Sequence, residues 1–181
     1  MLKRIRPAQR SHPFSLALFA LLSLMFMLTS NSASAFEVWA FIEVNGSALP
    51  GITATNPAKD GGIPVSSFRF SAARPFSPTT GLPTGSTQKT GITVTKDIDG
   101  ASPLLFRALT NNEPVNSALF RFFRTNENTG QEEVYYEVEV TNGVVFSQAV
   151  IGGVNSETEA LKIFGQVVAQ TDPISGVSHS Y

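Results

Sequence analysis

From Gly91 to Phe123 the spacing of apolar residues changes period twice, and few folds accommodate such a run. Ile92 and Val94 alternate with β-branched threonines, as in a half-buried strand. The acidic turn Asp97-Ile98-Asp99-Gly100 ends that period. Beyond it, Ser102 is placed as a helix N-cap. Pro103 falls at the first helical position, where its missing N–H costs nothing. Leu104, Leu105, Ala108 and Leu109 share one face of the helix that follows. Asn111 and Asn112 end it, and Pro114 forbids its continuation. Strand character returns over Ser117 to Arg124. The run therefore reads as strand, helix (about 102–112) and strand, and it supplies the single helix expected beyond position 35.

The rest of the chain is strand and loop. Phe36 to Val44 alternates Val38, Ala40, Ile42 and Val44 against Glu37, Trp39, Phe41 and Glu43. Trp39 and Phe41 on the second face imply that this face too is covered, with a neighbouring subunit as the candidate cover. Asn45-Gly46 is a tight-turn signal. Pro50 to Pro64 is a polar loop, and Val65 to Ala72 reads as one strand with Phe68 and Phe70 on a common side. Ala118–Arg124 and Glu132–Val140 form a hairpin around Asn126 to Gly130. Asn142-Gly143 turns the chain into Val144–Val150, and Glu159 to Ala169 is the last strand. Residues 171–181 have the composition of a loose tail. Many short strands with one helix point to a β-barrel or a β-sandwich.

The N-terminus is a leader. Lys3, Arg4, Arg6 and Arg10 precede an apolar run from Phe14 to Leu28, followed by small residues up to Ala35. This is the pattern of a secretory signal peptide (1–35) cleaved between Ala35 and Phe36, and the apolar run is short for a membrane span. The mature protein is then periplasmic or secreted, with no membrane contact after cleavage. Beyond position 35, nine basic residues face fourteen acidic ones, a formal net charge of −5. That balance disfavours a nucleic-acid partner, which requires a positive surface. Cysteine is absent, so disulfides, thiol nucleophiles and thiolate metal sites are excluded.

Catalytic chemistry finds little purchase. The two histidines are His12, in the leader, and His179, in the tail, which removes Ser-His-Asp triads and ordinary histidine metal sites. Glu137 and Glu139 lie on one strand face with Glu133 and Tyr135, which reads as a solvated face rather than an acid–base pair. Asp97 and Asp99 sit before the helix, where acids cap it and favour its positive end. Gly61-Gly62 and Gly152-Gly153 lack a following helix, so no phosphate cradle is implied. Asn45-Gly46-Ser47 fits a glycosylation sequon, a pattern common by chance. No catalytic, cofactor-binding or metal-ligating residue is assigned.

The run ITVTKDIDGASPLLFRAL (92–109) resembles the strand-to-helix signature of Hcp, the tube protein of bacterial type VI secretion systems. The matching positions are Thr95, Lys96, Ile98, Asp99, Ala101, Ser102, Pro103, Leu104 and Ala108, and a weaker likeness extends from about Val38 to Phe164. The resemblance implies a mainly β fold: a barrel of short antiparallel strands over 36–170 with one flanking α-helix. It also implies a non-enzymatic protein that assembles with itself into a hexameric ring, stacks into tubes and carries effector cargo. In that family an extended loop precedes this same strand and helps stack one ring on the next. Here that loop is Pro75 to Thr90, with Pro75, Phe76, Leu82, Gly85 and Lys89 as candidate stacking residues. A loop of this length is functional or disordered in most domains.

Two other readings stand beside it. One is a monomeric secreted binding module that uses the 75–90 loop as its recognition surface. The other is a secreted hydrolase, which requires two of Glu133, Glu137, Glu139, Asp97 and Asp99 to converge in one pocket.

Overall fold

Nine strands and one helix occur among the described residues, which in this computed structural model are 37–152 and 157–180. The leader and its expected cleavage between Ala35 and Phe36 lie outside them. In chain order the elements are β1 (Glu37–Val44), β2 (Ser47–Ala48), β3 (Ile63–Val65), β4 (Ser67–Ala73) and β5 (Gln88–Asp97). Then follow α1 (Ser102–Asn111), β6 (Pro114–Thr125), β7 (Glu132–Gly152), β8 (Glu157–Asp172) and β9 (Val177–Ser180). All pairings are antiparallel, in the order β2-β1-β6-β7-β8-β5-β4, with β3 on β1 and β9 on β8.

A single residue closes this sheet. β3 pairs with β1 and β4 pairs with β5, and only Ser66 separates them. The backbone N–H and Oγ of Ser66 both donate to the Thr95 carbonyl, at 2.8 and 3.0 Å. The chain thereby crosses from one edge of the sheet to the other and closes it into a barrel. Val65–Ala72, expected as one strand, is thus two. The corner at Ser66 puts Val65 inward with β1, and Phe68 and Phe70 then pack on the core from the opposite edge.

Cross-strand layers fill the interior. Val38, Phe122 and Tyr136 share one layer; Ala40, Phe120 and Val138 the next; Ile42, Ala118, Val140 and Val168 a third. Ile92 lies opposite Ile163, and Val94 opposite Leu161. Phe68 meets Phe120 and Phe122 edge-on at centroid distances of 5.1 and 5.0 Å, the arrangement that ring quadrupoles favour. α1 packs Leu105 and Ala108 into this core, with Leu104 and Leu109 partly buried beside them. It ends at Asn112, whose left-handed conformation (φ 52) turns the next N–H, of Glu113, back to the Ala108 carbonyl at 2.9 Å, and Pro114 opens β6.

Two expected turns and a tail take other forms. Asn142-Gly143 does not turn the chain. β7 runs straight through it, with Asn142 held at φ 51 and its neighbours paired on both sides. Asn-Gly signals a hairpin only when the flanking runs are free to pair with each other; here β6 and β8 already flank both halves. Residues 171–180 are not a loose tail: β8 extends to Asp172, and β9 folds back on it. Asp172 fixes that turn by accepting from the Ile174 N–H and the Ser175 hydroxyl. The Ser175 hydroxyl bond, helped by the backbone donors, holds the Asp172 carboxyl below its ordinary range.

Candidate functional site

The motif residues converge on a buried ionic cluster at one end of β5. Lys96 continues the inward parity of Ile92 and Val94, so its side chain enters the barrel end and is 1% exposed. Its Nζ lies 2.7 Å from Glu159 Oε1 on β8 and 2.7 Å from Asp99 Oδ1. The ammonium also donates to the Asp97 carbonyl at 3.0 Å and to Ser102 Oγ at 3.2 Å. The Ser102 hydroxyl donates to Glu159 Oε1 at 2.8 Å and accepts from the Asp99 N–H at 3.0 Å. Gln148 Nε2, from β7, donates to Glu159 Oε2 and to the Ser102 carbonyl. A buried charge is tolerable only when paired and hydrogen-bonded, and here each member supplies the other's partners.

Ser102 is therefore not the helix N-cap. Ala101 occupies that position without a side-chain cap, and Asp99 Oδ1 accepts from the Ala101 N–H at 2.9 Å. The serine lies inside the first turn, where it joins α1 to β8. Pro103 and Leu104 follow it into the helix, Thr95 pairs with Ala160 and Ser67, and Ile98 is 41% exposed. Asp97 is exposed at the strand end. The cluster fixes the loop 97–101 on β8. Glu159 is 0% exposed, and both its carboxylate oxygens accept hydrogen bonds within the cluster. Glu159 and Gln148 gave no signal in the sequence; their role depends on a β7–β8–β5 register that spacing alone does not reveal.

The cover over the second face of β1 comes from the chain itself rather than from a neighbour. The 49–62 loop folds back, with Gly62 against the Trp39 and Phe41 rings, so close that an added Cβ would sit 3.0 and 2.9 Å from them. Lys59, also buried, places its ammonium 4.8 Å from the Phe123 ring centroid and 5.6 Å from that of Trp39. It donates to Glu37 and Glu132. Burial pulls this ammonium down, but the two carboxylate bonds and their charges outweigh it, leaving Lys59 above the ordinary lysine value. The Lys59 bond, with a second from Asn56, holds Glu132 below the ordinary carboxylate range.

The carboxylates of β7 lie on a partly exposed face, as expected, and each is tied to a different neighbour. Glu137 pairs with Arg121 at 2.9 Å, Glu139 accepts from Ser117 at 2.9 Å, and Glu133 pairs with Arg124 at 2.9 Å. A bond from Asn126, with that from Arg124, lowers Glu133. With Asp99 held by Lys96, four of the five acids that a hydrolase would need are committed to separate partners.

The loop before β5 is an ordered arm. Phe76 bridges Pro83, the Ser77 N–H donates to the Leu82 carbonyl at 2.8 Å, and the Thr84 N–H donates to the Pro75 carbonyl at 2.9 Å. These bonds hold Phe76 and Leu82 close together, 65% and 64% exposed. Gly85 lies against Pro75, and Lys89 at the root donates to the Gln166 carbonyl at 3.1 Å. One further exposed feature was not legible: β7 shifts register between Val145 and Ser147, throwing Phe146 outward. Lys162 stands 5.3 Å from that ring, and Phe164 lines the same hollow of about 390 Å³.

Residues 41–177 match the family described as "Type VI secretion system effector, Hcp". The Major exported protein of Pseudomonas aeruginosa is 31% identical over 83 residues, 46% of this chain and 48% of that protein. The match thus spans about half the length of this curated relative. The solved Hcp1 protein from the E. coli EAEC 042 pathovar has a similar fold, with a TM-score of 0.73, 24% identity, and coverage of 81% of this chain and 98% of that one. The secreted protein Hcp3 from Pseudomonas aeruginosa is also similar, at a TM-score of 0.66 and 19% identity over 81% and 97% of the two chains.

Proposed function

This chain belongs to the Hcp family of type VI secretion system effectors, and on that premise we propose that it is an exported, non-enzymatic structural protein that closes head-to-tail into a hexameric ring. The rings stack into a tube, and the lumen carries effector cargo. The leader 1–35 is removed on export, which puts the barrel in the periplasm or outside the cell.

The observation that carries this reading is the family match over most of the barrel, residues 41–177. The surface supports it. Phe76, Phe106, Phe146, Val150, Ile151 and Phe164 are each more than two-fifths exposed. Phe146 and Phe164 line one hollow and Phe106 and Val150 another, and grouped apolar surface of this kind favours contact sites. A heterologous contact between two different patches closes into a ring when the rotation between copies permits. Of the carboxylates examined for catalysis, Glu133, Glu137, Glu139 and Asp99 are all tied to cations or hydroxyls, which fits a role without chemistry.

Light scattering behind a sizing column tests the assembly, and N-terminal sequencing of the exported protein tests the cleavage. A mass near six protomers and a first residue of Phe36 are expected. A clean monomer would sink the ring and leave the arm as the recognition surface of a monomeric binding module.

A further inference from the structure

One contiguous stretch of the sheet carries no acid. β4, β5 up to Lys96, β7 from Val140 to Gly152 and β8 from Ala160 to Thr171 include none of the fourteen acidic residues of the chain. Arg69, Thr93 and Lys162 form one cross-strand row there, since Arg69 pairs with Thr93 and Thr93 with Lys162. Neighbouring strands lie about 4.8 Å apart, so the two cationic positions stand about 10 Å apart with Thr93 between them. Arg69 is exposed and Lys162 half-buried, and neither makes an ion pair with a described carboxylate. In a chain whose acids outnumber its bases, this row is a local positive field without a counter-charge.

Lys162 stands where two hollows of opposite character meet. One, of about 240 Å³, is walled by Arg69, Ser71, Thr90, Thr93 and Lys162. The other is the hollow of about 390 Å³ between Val144, Phe146 and Phe164, with Lys89, Thr90 and Lys162 around it. Two backbone features shape the apolar one. The register shift after Val145 throws Phe146 outward, and Gly91, at φ 75, leaves room beneath the Phe164 ring. An added Cβ at Gly91 would meet Phe164 Cδ2 at 3.3 Å and Lys162 Cε at 3.5 Å. The Lys162 ammonium, 5.3 Å from the Phe146 ring centroid, joins the polar hollow to the apolar one. An extended peptide finds no backbone partner here, because β8 at Lys162 and Ile163 is already paired with β5 on one side and β7 on the other. The Thr90 hydroxyl donates to the Ser71 carbonyl. What the site offers is cationic donors beside an apolar recess, which suits a ligand with one charged end and one apolar end.

We propose that the two hollows together hold a single-chain anionic amphiphile, a free alkyl carboxylate of the fatty-acid class. Its chain lies between Phe146 and Phe164, and its carboxylate lies between Arg69 and Lys162, over Thr93. The apolar hollow alone falls within the roughly 300–1,000 Å³ that small-molecule sites occupy. The inference goes beyond the ring and tube reading and does not depend on it.

The exported protein, purified from cells expressing the full chain, is titrated with decanoate by calorimetry below the concentration at which decanoate forms micelles. One saturable site per chain is expected. Lys162→Gln and Arg69→Gln are each expected to weaken binding about ten- to a hundredfold, as loss of a hydrogen bond to a charged group does, with unchanged thermal melts. Decanol, which has the same chain and no charge, is expected to bind at least about tenfold more weakly, and added salt to weaken decanoate. No saturable uptake of decanoate overturns the proposal. Decanol binding as tightly, or Lys162→Gln binding decanoate as the wild type does, overturns it too. Two further outcomes assign another occupant and likewise overturn it. Binding to vesicles containing phosphatidylglycerol but not to decanoate makes the occupant a membrane surface. Decanoate that binds only while lowering the mass seen by light scattering makes it a neighbouring copy. A six-protomer mass without decanoate binding leaves the ring and removes the site, whereas decanoate bound to a monomer leaves the site and removes the ring.

Discussion

Lys96 Nζ stands 2.7 Å from Glu159 Oε1, with the two side chains 1% and 0% exposed, so the ion pair that anchors the 97–101 loop is almost wholly out of water. Attraction between such charges offsets their desolvation only while both are present. Lys96→Met strands the Glu159 carboxylate and is expected to cost about 3–5 kcal/mol in urea denaturation. Adding Glu159→Leu should restore only part of that loss: the stranded carboxylate is gone, but Ser102 Oγ and Gln148 Nε2 lose the acceptor they shared. A Lys96→Met protein that unfolds at the wild-type midpoint would show that the pair is solvated.

Ser102→Ala separates a network role from a capping role. Removing the hydroxyl takes an acceptor from the Asp99 N–H and a donor from Glu159, an expected cost of about 1–3 kcal/mol. If Ser102 acts through Glu159, its effect shrinks in a Glu159→Gln background, since residues sharing one network are not additive. A simple cap would cost the same in both backgrounds. A double-mutant cycle measured by denaturation decides.

The helix shows how far pattern carries. Leu105 and Ala108 lie on the face that spacing assigned to the core, and both are essentially unexposed. Leu105→Ala should therefore cost about 2–5 kcal/mol. Phe106→Ala, on the open side at 58% exposed, should leave the melt of an isolated barrel nearly unchanged. Equal losses from the two changes would mean that the buried face is misassigned.

Local patterns were legible because they need only neighbours in sequence. The alternation of β1, the Asn45-Gly46 turn, the β6–β7 hairpin and the stop at Pro114 all follow from backbone preferences. What was not legible depends on which strands meet. Ser66 reads as one more strand residue until β1 and β5 claim its two sides. Asn142-Gly143 reads as a turn until β6 and β8 hold both flanks. Trp39 and Phe41 signalled a covered face correctly, but nothing in their spacing named Lys59 and the 49–62 loop as the cover. In the cluster, Lys96, Asp99 and Ser102 stood out by the family signature, whereas Glu159 and Gln148 lie on distant strands and carry no local mark.

The Lys59 cover gives stability a definite pH dependence. Glu132 titrates below its ordinary 4.5 in the folded chain, so its contribution is present above that pH and is lost as pH falls through the lower folded value. Lys59 titrates above 10.5, so its contribution is present below that pH and is lost as pH rises through the folded value. Glu132 is 43% exposed, which limits the Glu132→Gln effect near neutrality to under about 1 kcal/mol. The difference in melting temperature between wild type and Glu132→Gln should narrow as pH drops from 6 towards 3. A difference that stays constant over that range would mean that the pair does not form in solution.

Gly165 joins the barrel wall to its outer features. An added Cβ there would stand 2.1 Å from Val140 Cγ1 and 3.0 Å from the Thr141 carbonyl, so β8 cannot keep its approach to β7 with any side chain at this position. Inward-facing positions also change parity here: Leu161 and Ile163 point into the core before Gly165, and Val168 does so after it. Gly165→Ala is expected to cost about 1–3 kcal/mol through forced displacement of packed backbone. The same substitution at Gly100, where the nearest atom to an added Cβ is Pro50 Cγ at 3.7 Å, should be tolerated. Because the displaced segment also carries Phe164 and faces Phe146, loss of the native assembly mass should accompany the lower melting temperature of Gly165→Ala. A Gly165→Ala protein with the wild-type melt would mean that the β7–β8 approach is looser in solution than the 2.1 Å clash allows.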